Sequence, residues 1–235
     1  MTKLLDCTTR DGGHVTNWNY SDEYIFSLLE DLNKKKVNFY EIGYRNYFDR
    51  EGKGEFYYCL PDFLKKFYDK KGDLKLGIMV DTKRYNEDDF IDAHSDHVDF
   101  IRIATHPDRI IDTLKIAEDL CKKNYNIIVQ LMDITKLTSE HYEILANWKQ
   151  KNIIETLYLA DTYGITDNLE KIYNKIKECG YKNISFHAHD KMQRALKNSL
   201  KAIELGAYSI DISHSSDGIN GGNLQYQQLA DLVII

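Results

Sequence analysis

Eight short runs of apolar, β-branched and aromatic residues recur along this 235-residue chain, at 4–8, 39–42, 76–80, 100–104, 127–132, 156–160, 184–189 and 208–213. The stretches between them carry apolar residues three and four apart, the spacing of a helix with one buried face. Tyr24, Leu28, Leu29 and Leu32 mark one such helix, and Ile110, Ile111, Leu114, Ala117 and Leu120 a second. Leu196, Leu200, Ile203 and Leu205 mark another, with Gly206 placed to cap its C-terminus. Repeated strand–helix alternation admits few folds, because parallel strands need long crossovers and these wind in one hand. Eight units predict an α/β chain folded as a (β/α)₈ TIM barrel, which typically takes about 250 residues. An open doubly wound sheet is the alternative, but it normally has fewer units.

No linker rich in Pro, Gly or Ser interrupts the alternation, so residues 1–235 read as one catalytic-type barrel domain. The chain ends on Leu232-Val233-Ile234-Ile235, an apolar run that leaves the closing helix incomplete. The expectation is a fragment from the N-terminal part of a longer polypeptide. Four scattered cysteines without a Cys-x-x-Cys pair argue for reduced thiols, and no segment resembles a signal or a membrane span. A cytoplasmic protein is expected. Net charge is -6 with no basic run, which disfavours nucleic acid as a partner.

The chemistry of a barrel gathers at the C-terminal ends of its strands. On the seventh run, Phe186-His187-Ala188-His189-Asp190, strand alternation points both imidazoles to one face. Two histidines and a carboxylate make a divalent-metal site, and Asp11 in Arg10-Asp11-Gly12-Gly13-His14 is placed to complete it. The other strand ends supply Glu41, Asp81, Arg102, Thr105, Asp133, Asp161, Thr162 and His214. Of these, Arg102, Thr105, Asp161, Thr162 and His214 are the candidate substrate contacts. The donor set admits manganese, magnesium, cobalt or zinc. Each residue also has a bland reading, as a hydrogen-bonded loop residue or a structural ion pair.

Five motifs carry a resemblance. Leu5-Asp6-Cys7-Thr8-Thr9-Arg10-Asp11-Gly12-Gly13, Glu41-Ile42-Gly43, Ala160-Asp161-Thr162-Tyr163-Gly164, Phe186-His187-Ala188-His189-Asp190 and Gly221-Gly222-Asn223 occur in order along the chain. They resemble the HMGL-like TIM-barrel metallolyases with the Asp-Arg-Glu motif, which include 4-hydroxy-2-oxovalerate aldolase, 3-hydroxy-3-methylglutaryl-CoA lyase and 2-isopropylmalate synthase. The resemblance implies that Arg10 is catalytic, that Glu41 pairs with it as a bidentate partner, and that Asp11, His187, His189 and Asn223 hold the metal. Family habit favours manganese or magnesium. In the aldolase branch a His four residues after the catalytic Arg is the base, and His14 has that offset.

The resemblance implies a divalent-metal-dependent aldolase that cleaves a 4-hydroxy-2-oxo acid through a pyruvate enolate, with a small 2-oxo acid as ligand and a homo-oligomer as a candidate assembly. Two alternatives stand. One is Claisen-type condensation of a 2-oxo acid with an acyl-CoA, although no basic cluster offers a site for CoA phosphates. The other is an inactive barrel serving as a binding domain. The segment from Ser215 to Asn223 could cradle a phosphate through its amides, but no Lys-Ser/Thr follows, so it is no P-loop.

Overall fold

The computed structural model describes residues 2–46, 52–214 and 218–230. Eight parallel strands close in chain order into a barrel: β1 (Lys3–Asp6), β2 (Phe39–Tyr44), β3 (Lys75–Asp81), β4 (Phe100–Thr105), β5 (Ile127–Leu131), β6 (Ile154–Asp161), β7 (Ile184–Ala188) and β8 (Ser209–Ile212). Around it run α1 (Thr8–Thr16), α2 (Asp22–Lys34), α3 (Pro61–Tyr68), α4 (Ile110–Lys122), α5 (Ser139–Asn147), α6 (Leu169–Glu178), α7 (Ala195–Glu204) and α8 (Tyr226–Ala230). The expected TIM barrel is borne out. The closing apolar run at Leu232 to Ile235 lies outside the described residues. Among the described residues no helix is long and apolar enough to cross a membrane.

The units are less uniform than the periodicity suggests. Two helices follow β1, whereas β3 is followed by short 3₁₀ turns and no α-helix among the described residues. The reason lies in residues 82–99, where Asp side chains take over the backbone. Asp81 accepts the Lys83 N–H and Asp92 the His94 N–H, local bonds that compete with a helix. Buried Asp96 then ties the segment down, accepting from Arg45 Nη1 at 2.5 Å and from the Tyr125 hydroxyl.

In α7 the face turned to the barrel is small: Ala195, Asn198, Ser199 and Ala202 are buried, while Leu196, Leu200 and Ile203 flank it half-buried. Helix and sheet approach closely there, so the long side chains are displaced to the sides. Gly206 has φ +92°, the left-handed turn expected after the helix.

Outside the barrel, aliphatic side chains from strands and helices form one continuous core, each contributing about 1.5–3 kcal/mol when fully buried. Inside it, Leu5, Cys7, Phe39, Phe100, Ile128 and Tyr158 pack together. Gly77 makes room for them, since a Cβ there would lie 2.2 Å from the Phe100 ring. Two residues beyond Phe39, Phe100 and Ile128 stand Glu41, Arg102 and Gln130. Alternation keeps these on the same inner face, one step nearer the C-terminal mouth. The interior is therefore apolar below and charged above.

Asp6 faces the outer layer at the end of β1, fully buried, where it accepts the Thr8 N–H and hydroxyl at 2.9 Å each. Burial pushes its pKa up to about 7. The native state then binds more protons than the unfolded chain between about pH 4 and 7, so this group's contribution to stability falls as pH rises through that window. Asp6→Asn is expected to raise stability by about 1 kcal/mol or more at pH 8, with little gain at pH 4. Urea unfolding at the two pH values checks it, and an equal change at both would show that ionisation of Asp6 is not the cause.

Candidate metal centre

The chain enters the site through α1. The strand expected to run through Thr8 stops at Asp6, and Cys7 caps a helix whose first turn holds Arg10 and Asp11. The Asp11 N–H donates to the Cys7 carbonyl at 2.9 Å, which puts the carboxylate at a helix N-terminus that favours negative charge. Trp18 closes the turn, donating from Nε1 to the Arg10 carbonyl at 3.0 Å. Its indole packs against Gly13, where a Cβ would sit 2.1 Å from the ring.

A buried charge network spreads from Arg10. Its Nε donates to Glu41 Oε1 at 2.5 Å and its Nη1 to Asp11 Oδ1 at 2.7 Å. Glu41 is not the bidentate partner of one arginine. Its other oxygen accepts from Arg102 Nε at 2.6 Å, so the carboxylate bridges two guanidinium groups. Arg102 continues through Nη1 to Gln130 Oε1 at 2.7 Å and Asp211 Oδ2 at 2.6 Å. Arg102 is thus wholly buried beneath the mouth, where its side chain braces other charges.

Asp211 accepts from His187 Nδ1 at 2.8 Å, and His189 Nδ1 lies 3.3 Å from the Gly222 carbonyl. These partners assign the ring proton to Nδ1 in both histidines and leave each Nε2 with its lone pair outward. The two Nε2 atoms are 3.3 Å apart, and ligand atoms of Asp11, His187 and His189 all lie within 4.8 Å of one another. Burial pushes His189 down to about 4, with His187 adding to the shift, so the ring is neutral at pH 7. Burial alone would raise Asp11, but Arg10 and the two histidines outweigh it and hold the carboxyl below the usual range. Three carboxylates (Asp11, Glu41, Asp211) against two guanidinium groups leave one net negative charge. Two imidazole Nε2 atoms, an ionised carboxylate and a net negative surround fit a divalent cation.

Asn223, expected as a ligand, donates from Nδ2 to Asp11 Oδ2 at 2.5 Å. The loop carrying it packs on the triad, and a Cβ at Gly218 would fall 2.8 Å from Asp11 Oδ2. Ser215, Ser216 and Asp217 of the same glycine-rich stretch lie outside the described residues. His14 sits exposed on the rim, one helical turn beyond Arg10, edge-on to Trp18 at 4.8 Å and to Tyr44 at 6.2 Å.

Several expected substrate contacts have other work. Inner-facing residues of β4 are Phe100 and Arg102, so Thr105 points outward, its hydroxyl on the His106 carbonyl at 3.0 Å. Asp161 accepts the Ile165 and Thr166 N–H groups at 3.0 Å each and shapes its own loop. Thr162 Oγ1 accepts from the Asp133 N–H at 2.8 Å. His214 falls on the outer alternation after Asp211 and lies exposed, its Nδ1 3.3 Å from Asp31 Oδ2 and from Lys35 Nζ. Asp211 and Gln130 are the residues missed. A charged residue in the middle of Ser209-Ile210-Asp211-Ile212 was the available signal, since a strand interior seldom buries a charge without a partner.

No family model matches the chain. It is 24% identical over 237 residues to the 4-hydroxy-2-oxovalerate aldolase of Carboxydothermus hydrogenoformans, covering 97% of this chain and 69% of that one. It is 21% identical over 230 residues to the oxaloacetate decarboxylase of Mycobacterium tuberculosis, covering 96% and 68% respectively. Among solved structures, the N-terminal domain of a candidate aldolase from Bacteroides vulgatus superposes with a TM-score of 0.88 at 26% identity, covering 97% of this chain and 78% of that one. HMG-CoA lyase from Brucella melitensis shares the fold at a TM-score of 0.71 and 14% identity, covering 98% and 90%. The kinship expected from the five motifs is borne out.

Proposed function

We propose that this chain is a divalent-metal-dependent carbon–carbon lyase that cleaves a 4-hydroxy-2-oxo acid to pyruvate and an aldehyde. The observation that carries the reading is the pair of facing Nε2 atoms 3.3 Å apart, with Asp11 alongside; Arg10 Nη2, 4.0 Å from Asp211 Oδ2, is buried without a hydrogen-bond partner. A buried guanidinium donor left unsatisfied is costly in a folded chain and marks where a ligand oxygen belongs.

Asp11, His187 and His189 would hold the ion, with Asn223 positioning the Asp11 carboxylate. Manganese or magnesium suits the carboxylate in this set. A bound divalent cation supplies Lewis-acid stabilisation of charge developing on the keto oxygen, worth several kcal/mol. The chain does the rest. Arg10 Nη2 donates to that oxygen as its charge grows, and Glu41 fixes the guanidinium so that no reorganisation is needed. His14 removes the proton of the substrate's 4-hydroxyl, the C3–C4 bond breaks, and the aldehyde departs while its electron pair is left in the pyruvate enolate. Asp211 and Arg102 hold His187 in the right tautomer throughout. Four free thiols fit a reducing, cytoplasmic setting.

The test is pyruvate release from a panel of 4-hydroxy-2-oxo acids, with oxaloacetate included, before chelation, after it, and with manganese restored. Release expected from the hydroxy acids disappears with the metal and returns with it. Release from oxaloacetate alone would move the chain to decarboxylation. If manganese binds and no pyruvate appears from any substrate, condensation with an acyl-CoA replaces the aldolase reading.

A further inference from the structure

Aldol cleavage and oxaloacetate decarboxylation leave the same product to be finished: an enolate whose C3 must receive a proton. We propose that His106, oriented by Asp133, is the acid that delivers it. The inference rests on the lyase reading above, in either of its two substrate forms.

His106 follows β4 directly and is still extended, with φ −82° and ψ 159°. The inward series Phe100, Arg102, Ala104 therefore continues to it, and it stands at the mouth above Arg102. Its backbone is pinned, the carbonyl accepting the Thr105 hydroxyl and the Arg109 N–H, each at 3.0 Å. Its Nδ1 lies 3.1 Å from Asp133 Oδ2, and its side chain is 33% exposed while that of Asp133 is 5% exposed.

Asp133 adopts φ +52°, a left-handed backbone that Asp tolerates better than most residues. Thr162 on the neighbouring loop receives its N–H, and Lys136 Nζ reaches the same Oδ2 at 3.1 Å. The second carboxylate oxygen, Oδ1, is buried and has no hydrogen-bond partner. The Oδ2 contact turns the imidazole so that Nδ1 faces Asp133. Nε2 is then the ring nitrogen left to serve substrate, and the proposal gives it the proton that is delivered.

The step balances. The enolate's carbon–carbon π pair takes the Nε2 proton to form the third C3–H bond of pyruvate, the keto group is restored, and the imidazole is left neutral. Solvent at its exposed edge returns the proton. In aldol cleavage His14 takes one proton from oxygen while His106 gives one to carbon, so two histidines on opposite sides of the mouth divide the two transfers. Asp133 acts through His106 and is a positioning residue.

The experiment follows exchange of pyruvate methyl protons for deuterium by proton NMR, with the magnesium-loaded protein in heavy water. His106→Asn is expected to slow exchange by about 10²–10⁴-fold. Its melting temperature and bound magnesium should match wild type. Asp133→Asn should slow it in the same direction, and added imidazole should restore part of the rate to His106→Ala. Exchange at the wild-type rate in His106→Asn overturns the proposal and leaves the lyase reading intact. So does slowed exchange accompanied by loss of magnesium, because His106 would then be supporting the metal centre. If His106→Asn does not fold, Asp133→Asn decides by the same readout. Failure of wild type itself to exchange, with magnesium bound, would overturn both readings together.

Discussion

Asp11→Asn is expected to fold as a closed barrel that has lost its affinity for manganese and releases no pyruvate. The substitution keeps the side chain's shape, so Asn223 and Arg10 retain a neighbour of the right size. What it removes is the only carboxylate in the candidate ligand set and the net negative charge of the surround. Removing a group that merely orients a ligand typically costs 10–100-fold in metal affinity, so losing the ligand itself should cost at least about 100-fold. Titration calorimetry with manganese on the metal-stripped protein reads this directly. Wild-type affinity in the variant would take Asp11 out of the ligand set and leave the two histidines without an anionic partner.

The second large effect is on folding. Arg102 is fully buried and joins Glu41 to Asp211, so Arg102→Met leaves two carboxylates inside the barrel short of a counter-charge. Breaking a buried ion pair from one side costs about 3–5 kcal/mol. Neighbours soften the loss here, since Arg10 still reaches Glu41 and His187 still reaches Asp211. We therefore expect about 3 kcal/mol from denaturant midpoints, the low end of that range. A loss below about 1 kcal/mol would mean that the network relaxes around the gap and does not brace the site.

These two residues also show what could be read from the chain. Alternation on the seventh strand paired His187 with His189, because that rule depends only on spacing, whereas Asp11 and His14 were singled out through the resemblance of the first-strand motif. The same alternation, applied strand by strand, separates Arg102 from Thr105 and Asp211 from His214. Taking every polar residue near a strand end as a candidate blurred that distinction. Asp161 and Thr162 illustrate a different limit. Their side chains serve backbone groups in loops whose course depends on tertiary contacts, and no local pattern announces it. The helical first turn at Thr8 to Asp11 was hidden for a related reason: β-branched Thr8 and Thr9 continue a strand pattern, and the close packing of Trp18 on Gly13 in the same helix is a tertiary contact that no local pattern announces.

The bond from Asn223 to Asp11 joins positions 212 residues apart. During synthesis on the ribosome, Arg10 and Asp11 emerge long before His187 and His189 exist, so a growing chain carries half a site and cannot hoard cations with it. An ion held by Asp11 and the two histidines would clasp the segment after the first strand to the seventh, spanning the eighth strand that shuts the ring. With such an ion, metal uptake and ring closure would become a single late event in the birth of the molecule, and a cation titration would double as a gauge of whether the circle has been completed.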